Sequence, residues 1–278
     1  MYLIVDSGSS KTDWVLIGNN KQLTNFNTIG LNPYFTDSKK VSETIKSNIS
    51  IDYINQIDKV FFYGAGCSNA EKCEVIKSGI HSIIKNAEIS VESDLLGAAR
   101  ALFKNDIGIA VILGTGSNAG FYNGKEISKT FGSFGYILGD EGSGTNLGLN
   151  LLKSYLNQEM PKSISEKLEK QYKLSKSEIL ENVYKKPFPN RYLAGFTKFL
   201  LENIEDDFIY SLVYNSFLSF LIKQIGKYDK NETVSIRFTG SIAFYFKDIL
   251  IKVASHLNYK VDLILEKPID ELVIYHKN

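Results

Sequence analysis

The sequence is poor in the residues that build covalent cross-links and metal centres. Its 278 residues include two cysteines, Cys67 and Cys73, and three histidines. Two cysteines are too few for a disulfide scaffold or a four-ligand zinc site, so we expect buried free thiols. His81, His256 and His276 lie far apart in the chain, which argues against a histidine metal site.

The chain also lacks an excess of charge of either sign and a long hydrophobic run. Lys and Arg number 32 and Asp and Glu number 31, for a net charge of +1. Partners such as nucleic acid or a membrane surface usually require a basic excess, so we expect neither. The first strand reaches Asp6 too soon for a signal peptide. The longest apolar runs, such as 109–113, are well short of the ~20 residues that span a bilayer. We therefore expect a cytoplasmic protein.

The length and the order of elements indicate a two-domain α/β protein. At about 150 residues per domain, the chain is long enough for two domains. Hydrophobic residues make up 44% and charged residues 23%, as in ordinary globular proteins. Strands alternate with helices in the order typical of α/β domains. In the second half we expect single helices near 143–157, 164–171, 176–184, 191–201 and 207–227, and one from 241 to about 256.

The second half of the chain repeats the pattern of the first. Each half begins with a strand, a loop of small residues, a second strand, a Gly/Asn turn and a third strand. The two turns are Gly18-Asn19-Asn20 and Asn123-Gly124, which are typical of hairpins. Internal duplication of this kind predicts two related lobes, with their loops facing each other across a cleft. The alternative is coincidence between two unrelated three-stranded meanders.

Three strands end in loops of small residues. The loops are Asp6-Ser7-Gly8-Ser9-Ser10, Gly114-Thr115-Gly116-Ser117 and Thr239-Gly240-Ser241. Glycine lets the backbone approach a ligand, and successive N–H groups with hydroxyls bind anions. Ordinary turns would explain one such loop, whereas three of them favour phosphate binding. The Walker A and dinucleotide-binding motifs are absent, so a nucleotide site would use another architecture.

Two aspartates directly follow apolar strands. Asp6 suits Mg²⁺ beside a phosphate loop, and its alternative is an Asx turn that ends the strand. Asp94 could act as a general base for an attacking hydroxyl or could cap the helix that follows it. The Gly-rich segment 131–144 also contains two adjacent acids. We favour ligand binding for Asp140 and helix capping for Glu141.

At these residues the sequence resembles the N-acetylglucosamine kinases and the wider group that includes activator ATPases of 2-hydroxyacyl-CoA dehydratases. Both belong to the sugar kinase, heat-shock protein and actin superfamily. The resemblance covers essentially the whole chain. The motifs that carry it, in chain order, are Asp6-Ser-Gly-Ser-Ser-Lys-Thr12, Gly30-Leu-Asn-Pro33, Ser93-Asp94, Gly114-Thr-Gly-Ser-Asn118, Gly139-Asp-Glu-Gly-Ser143 and Thr239-Gly-Ser241.

The resemblance implies an α/β fold of two ribonuclease-H-like (actin-like ATPase) lobes around a nucleotide and sugar cleft. The N-terminal lobe would span residues 1–113 and the C-terminal lobe 114–267. The final helix, 268–278, would return to the N-terminal lobe.

The resemblance also implies roles for individual residues. Asp6 would hold Mg²⁺, mostly through water, and Asp94 would be the catalytic base. The residues that would contact ATP are Ser7, Gly8, Ser9, Ser10, Lys11, Gly114, Thr115, Gly116, Gly240 and Ser241. The residues that would contact the sugar are Asn32, Asp94, Ser117, Asn118, Gly132, Ser133, Asp140 and Gly144.

Two departures from the family's motifs are visible. Ser7 and Ser10 stand where the first loop of the family usually has Gly and Thr, and Ser133 and Phe134 stand where the family has Gly and Trp. The hydroxyl at Ser10 preserves a phosphate contact, whereas the second change alters the expected sugar contacts.

The implied activity is transfer of the γ-phosphoryl group of ATP to the 6-hydroxyl of N-acetylglucosamine or a close amino sugar, with ATP and Mg²⁺ as cofactors. N-acetylmuramic acid and glucosamine stay open as substrates. Two other classes also stay open, an ATPase that activates a partner enzyme and a non-catalytic sugar sensor. Many soluble kinases of this kind pair, so a homodimer is a further expectation.

Overall fold

The structure, a computed structural model, describes residues 1–19, 21–228 and 234–277. Asn20 of the predicted first hairpin turn and Asn278 of the predicted final helix lie outside the described residues. The strands are β1 (Tyr2–Ser7), β2 (Lys11–Gly18), β3 (Lys21–Ile29), β4 (Lys59–Gly64), β5 (Glu88–Ser93), β6 (Gly108–Leu113), β7 (Ser117–Tyr122), β8 (Ile127–Thr130), β9 (Ile236–Thr239) and β10 (Val261–Leu265).

Helices connect the strands and make up most of the region between β8 and β9. They are α1 (Ser38–Asn48), α2 (Ile51–Ile54), α3 (Ala70–His81), α4 (Asp94–Phe103), α5 (Gly135–Leu138), α6 (Gly144–Leu156), α7 (Lys162–Tyr172), α8 (Lys176–Tyr184), α9 (Pro189–Ala194), α10 (Thr197–Glu202), α11 (Asp207–Lys223), α12 (Ser241–Tyr245), α13 (Lys247–His256) and α14 (Ile269–Lys277).

The chain divides into two compact units. Unit 1 comprises Met1–Ala110, Gly120–Lys129 and Lys267–Asn278. Unit 2 comprises Val111–Ala119 and Thr130–Glu266.

Two five-stranded sheets share one strand order. The first runs β3-β2-β1-β4-β5 and the second β10-β9-β6-β7-β8. When β6 is counted as the first strand of the second set, the two orders are the same. In the first sheet, β1 pairs antiparallel with β2 and parallel with β4, and β4 pairs parallel with β5. The predicted α/β fold with a duplicated sheet is therefore confirmed.

Both faces of the first sheet are buried because β1 is apolar on each side. Leu3 and Val5 belong to one hydrophobic cluster, whereas Ile4 belongs to a second cluster with Val15 and Leu272. Successive strand residues point to opposite faces, so a continuous apolar run fits a strand that is covered on both sides. Helix α14 supplies part of the second cluster and packs on β1, β2 and α4.

Two predicted helices are each divided in two. The predicted helix 191–201 is interrupted between α9 and α10 at Gly195 and Phe196. The predicted helix from 241 to 256 is interrupted at Phe246, which lies between α12 and α13. A helical period persists through such interruptions, so the apolar pattern does not reveal them. Helix α5 is a helix where the sequence predicts a loop, because the glycine-rich segment contains one helical turn.

One helix is apolar enough to have the composition of a membrane span. By length and composition alone, the segment Asp207–Lys227 could cross a bilayer, and a buried core helix passes the same test. Val213, Phe217 and Phe220 of α11 are fully buried, and α11 packs on α6 and α13 within unit 2. These contacts are those of a core helix.

We predict that α14 holds unit 1 together through Leu272. Leu272→Ala removes a fully buried side chain from the second cluster and should lower the free energy of unfolding by about 2–5 kcal/mol. The matched control is Ile274→Ala on the same helix, because Ile274 is exposed and its loss should cost less than about 1 kcal/mol. Urea unfolding measures both. Equal midpoints for the two variants would contradict this account of α14.

Candidate active site

Two carboxylates lie at the carboxyl edge of the first sheet. Asp6 of β1 is level with Tyr63 of β4, and Tyr63 is level with Glu92 of β5. Asp94 begins α4 immediately after β5. Because β1, β4 and β5 run parallel, their carboxyl ends meet at one edge, where open α/β sheets bind ligands.

Asp6 lies within a strand rather than in an Asx turn, and it pairs across the ladder with Asp13 of β2. Burial is the main cause that raises the pKa of Asp6 to about 8; the carboxylates of Asp94 and Asp13 contribute to the rise, and Lys11 opposes it. The carboxyl group is thus held neutral by burial and repulsion, and a bound cation would favour its charged form.

Asp94 is not the cap of its helix. Ser93 occupies that position and its Oγ accepts the Leu96 N–H at 3.2 Å. Oδ1 of Asp94 accepts the Leu95 N–H at 2.8 Å. Burial raises the pKa of Asp94 to about 6, while its hydrogen bonds to backbone N–H groups oppose the rise. The carboxylate is therefore oriented by the backbone and remains mostly ionised at neutral pH.

Asp13 is a neighbour of this site that sequence reasoning missed. Its carboxylate lies 3.3 Å from Nζ of Lys11 and 3.7 Å from Nζ of Lys267, and it accepts the side-chain amide of Asn27. The available signal was an acid in a strand that is otherwise apolar from Trp14 onward. Two lysines and an amide therefore surround this carboxylate beside Asp6.

The first small-residue loop is held by its own backbone. The Gly8 N–H donates to the carbonyl of Lys11 at 2.9 Å, and the Gly30 N–H donates to the carbonyl of Ser10 at 3.0 Å. The Ser7 hydroxyl is buried; it lies 2.8 Å from the Thr12 hydroxyl and accepts the Leu31 N–H at 2.9 Å. The Ser7 hydroxyl therefore holds the loop in place. Ser9 lies in the same loop, between Gly8 and Ser10, which make the backbone hydrogen bonds.

Asn32 is set in a tight turn next to the first sheet. Its side chain is buried and its Oδ1 accepts the Tyr34 N–H at 3.0 Å. Gly66, with φ of +83°, passes so close that a Cβ there would collide with Oδ1 of Asn32. The amide of Asn32 is thus fixed from two sides.

In unit 2 the second small-residue loop is braced by α6. The Gly144 N–H donates to the carbonyl of Gly114 at 2.8 Å, and the Thr145 hydroxyl donates to the carbonyl of Thr115 at 2.6 Å. The third loop lies against the same strand end, because Gly240 has φ of +114° and a Cβ there would collide with the carbonyl of Leu113. The second and third loops are therefore neighbours.

Asp140 joins this cluster from the glycine-rich segment. It is 8% exposed, and its Oδ1 accepts the Ser117 N–H at 3.3 Å and the Ser133 hydroxyl at 3.4 Å. Burial raises the pKa of Asp140, and those two hydrogen bonds oppose the rise. Gly116 also packs against the Asp140 carboxylate. The structure thus brings together four residues predicted as ligand contacts.

Glu141 does not cap the helix that follows it, so that prediction is wrong. The cap of α6 is Ser143, whose Oγ accepts the Asn146 N–H at 3.1 Å. Glu141 instead accepts a hydrogen bond from Nζ of Lys223 at 2.9 Å. Adjacent acids in the segment therefore have different tasks.

Two other predicted residues make hydrogen bonds to residues nearby in the chain, and a third is exposed. Oδ1 of Asn118 accepts the Ala119 N–H at 2.9 Å. The Gly132 N–H donates to the Thr130 hydroxyl at 3.1 Å. Ser241 is exposed at the start of α12.

The first-sheet carboxylates fit a cation held partly by water. Mg²⁺ typically takes one or two carboxylates with waters and phosphates. Among residues 1–19, 21–228 and 234–277, no three or more His, Cys, Asp or Glu side chains form a metal-binding group. A cation at Asp6 would offset the repulsion that Asp13 and Asp94 exert on its carboxyl group.

We predict that Asp6 costs stability in the metal-free protein. A pKa of about 8 against about 3.9 in the unfolded chain means that stability is lost as the pH rises from about 4 to about 8. Asp6→Asn cannot ionise, so its advantage over wild type should grow over that range. We expect on the order of 1 kcal/mol, or about 2–4 °C in melting temperature, at about pH 8.

Thermal melting in EDTA at several pH values measures this difference. The control is Asp52→Asn, because Asp52 is exposed on α2, and it should show no such pH trend. A constant difference between Asp6→Asn and wild type at all pH values would contradict the raised pKa.

Known proteins resemble this chain to different extents. No known family model matches it. The N-acetylmuramic acid/N-acetylglucosamine kinase of Clostridium acetobutylicum is 35% identical over 92 residues, which cover 33% of this chain and 30% of that kinase. The match therefore spans less than a third of that relative's length.

Solved structures extend the likeness to the whole chain. A proposed N-acetylglucosamine kinase from Porphyromonas gingivalis is 40% identical, with a TM-score of 0.94 over 100% of this chain and 99% of that one. A second proposed N-acetylglucosamine kinase, from Chromobacterium violaceum, is 16% identical, with a TM-score of 0.73 over 99% and 98% of the two chains. The second likeness shows the fold alone. On the identity and coverage of the first, the chain belongs to the N-acetylglucosamine kinase family of sugar phosphotransferases, which has the actin-like ATPase fold.

Proposed function

We propose that the protein is an ATP-dependent amino-sugar kinase that phosphorylates N-acetylglucosamine, or a close relative, on the 6-hydroxyl. The observation that carries the proposal is Asp94, a half-buried carboxylate that the Leu95 N–H orients at the edge of the sheet. Its neighbour Asp6 is the second carboxylate of that edge. Together they offer a proton acceptor and a cation ligand.

Asp94 would act as the general base. As the 6-hydroxyl oxygen attacks the γ-phosphorus, its proton would pass to the Asp94 carboxylate while the bond from phosphorus to the bridging oxygen breaks. A pKa of about 6 leaves the group ionised at pH 7 and makes it a stronger base than an ordinary aspartate. The backbone hydrogen bond keeps it aimed without help from another side chain.

The small-residue loops would bind the phosphates of ATP. In the first loop the contacts would come from Ser7, Gly8, Ser9, Ser10 and Lys11. In unit 2 they would come from Gly114, Thr115 and Gly116, with Gly240 and Ser241 near the adenosine. Backbone N–H groups in such loops stabilise charge on phosphoryl oxygens without reorganisation. Charge neutralisation at the phosphates is what Mg²⁺ supplies when it is bound, and Asp6 would hold it.

Amide, hydroxyl and carboxyl groups would bind the amino sugar. Asn32 is already fixed by its turn, and Asp140 is fixed by Ser117 and Ser133. Groups that are held before binding lose little entropy on binding, so they can select one sugar orientation. The remaining proposed contacts are Asn118, Gly132 and Gly144.

An activator ATPase of the wider family is the competing proposal. Such proteins hold an iron–sulfur cluster between two subunits through cysteines. Here Cys67 is buried and interacts with Cys73 of the same chain, which favours structural thiols. A sugar sensor is a further alternative, and it would have no use for an oriented base such as Asp94.

We further propose lobes over residues 1–113 and 114–267, with the final helix 268–278 on the first lobe. Small molecules in the cytoplasm, rather than nucleic acid or membrane, would be its partners, as the net charge of +1 favours. Phe134, Ile137 and Leu138 are more than half exposed, which supports pairing of two copies.

We predict that Asp94→Asn lowers kcat about 10²–10⁴-fold, because the amide cannot accept the proton. Its oxygen can still accept the Leu95 N–H, so the fold should persist. The control is Asp207→Asn, since Asp207 is likewise the first residue of a helix but is exposed. Phosphorylation of N-acetylglucosamine in a coupled ADP assay measures both. Turnover by Asp94→Asn at the wild-type rate would overturn the assignment of the base.

We also predict an acidic limb in the pH profile of kcat/KM. The rate should fall below about pH 6, where Asp94 becomes protonated, and the slope of that limb should vanish in the residual activity of Asp94→Asn. A wild-type rate that is flat from pH 5 to pH 7 would show that no group with this pKa limits the reaction.

A further inference from the structure

An aromatic side chain and a lysine extend the surface beside Asn32. The turn that begins at Asn32 exposes Tyr34, which is 58% accessible. Nζ of Lys72 lies 4.7 Å from the centre of the Tyr34 ring, and the Tyr34 hydroxyl lies 3.4 Å from the Ser68 hydroxyl. We call Tyr34, Ser68 and Lys72 the Tyr34 edge.

The Tyr34 edge is continuous with the amide of Asn32. The Tyr34 N–H donates to Oδ1 of Asn32 at 3.0 Å, and the Phe35 N–H donates to its carbonyl at 2.9 Å. Gly66, two residues before Ser68, touches the same amide. A ligand that contacts Asn32 and carries a substituent on this side would meet the Tyr34 edge next.

Lys72 places a positive charge next to Tyr34. Lys72 lies in the first turn of α3, whose cap is Asn69, and a cation is disfavoured at that end of a helix. Across the described ranges 1–19, 21–228 and 234–277, Lys72 makes no ion pair with a carboxylate. Its contact with the Tyr34 ring holds the ammonium group at the edge instead.

We propose that the Tyr34 edge binds an anionic substituent of the sugar, namely the carboxylate of the 3-O-lactyl group of N-acetylmuramic acid. Lys72 is the residue that selects for this substrate. This inference rests on the proposed function and on Asn32 as a sugar contact. N-acetylglucosamine is neutral and has nothing for Lys72 to pair with. The lactyl carboxylate would form a charge-assisted hydrogen bond with Lys72, and the hydroxyls of Tyr34 and Ser68 could donate to it.

The test compares both sugars with each variant. Wild type should phosphorylate both. Lys72→Met keeps the apolar stem over Tyr34 and removes the charge, so kcat/KM for N-acetylmuramic acid should fall about tenfold or more, mostly through KM, as expected for a lost charge-assisted contact. The value for N-acetylglucosamine should stay within about twofold. Lys72→Arg should retain most of the preference, and added salt should raise KM for the acidic sugar alone.

The matched control is Lys77→Met, an exposed lysine on the same helix, which should alter neither sugar. Equal losses for both sugars in Lys72→Met would overturn the role of Lys72. Wild type that phosphorylates N-acetylglucosamine but not N-acetylmuramic acid would overturn this inference and leave the proposed function standing. Failure with both sugars would overturn the proposed function and this inference with it.

Discussion

The first sheet confines three carboxyl groups to one edge, and the account of this protein depends on that constraint. Asp6 pairs across the ladder with Asp13, and the repulsion of Asp13 and Asp94 adds to the effect of burial on the Asp6 pKa. Such an arrangement is unfavourable in a protein that binds nothing. The cation that we propose at Asp6 would relieve this repulsion.

The three acids of this edge differ because each has different hydrogen-bond and ion-pair partners. Asp13 forms ion pairs with Lys11 and Lys267. Asp94 has backbone N–H donors, which hold its pKa below that of Asp6. One edge of the sheet thus contains a carboxylate paired with two lysines, a carboxyl group that we propose as the base and a carboxyl group that we propose as the cation ligand.

Much of this architecture could be predicted from the sequence, because strand patterns and Gly/Asn turns are local signals. The duplicated strand, loop and hairpin order predicted two related halves, and the structure shows two sheets of one strand order. Contacts between distant residues could not be predicted. The pairing of Asp6 with Asp13 depends on strand register, and the salt bridge between Glu141 and Lys223 joins residues 82 positions apart. Asp140 and Ser117 meet only because the glycine-rich segment folds back on the second loop.

The breaks within predicted helices have a similar cause. The helical period continues from α9 into α10 and from α12 into α13, so pattern alone reads each pair as one helix. Tertiary packing decides where such helices break. The capping error at Glu141 shows the same limit, since Ser143 and Glu141 are both suitable near a helix start and only the position of Lys223 separates their roles.

We propose that this site transfers a phosphoryl group to a sugar rather than to water. The most direct measurement is ¹H–³¹P correlation NMR of the products formed from ATP, Mg²⁺ and N-acetylglucosamine. The account predicts a phosphorus signal that correlates with the two protons on carbon 6 of the sugar. Inorganic phosphate as the only new phosphorus species besides ADP would contradict it, because the site would then hydrolyse ATP without using the sugar as acceptor.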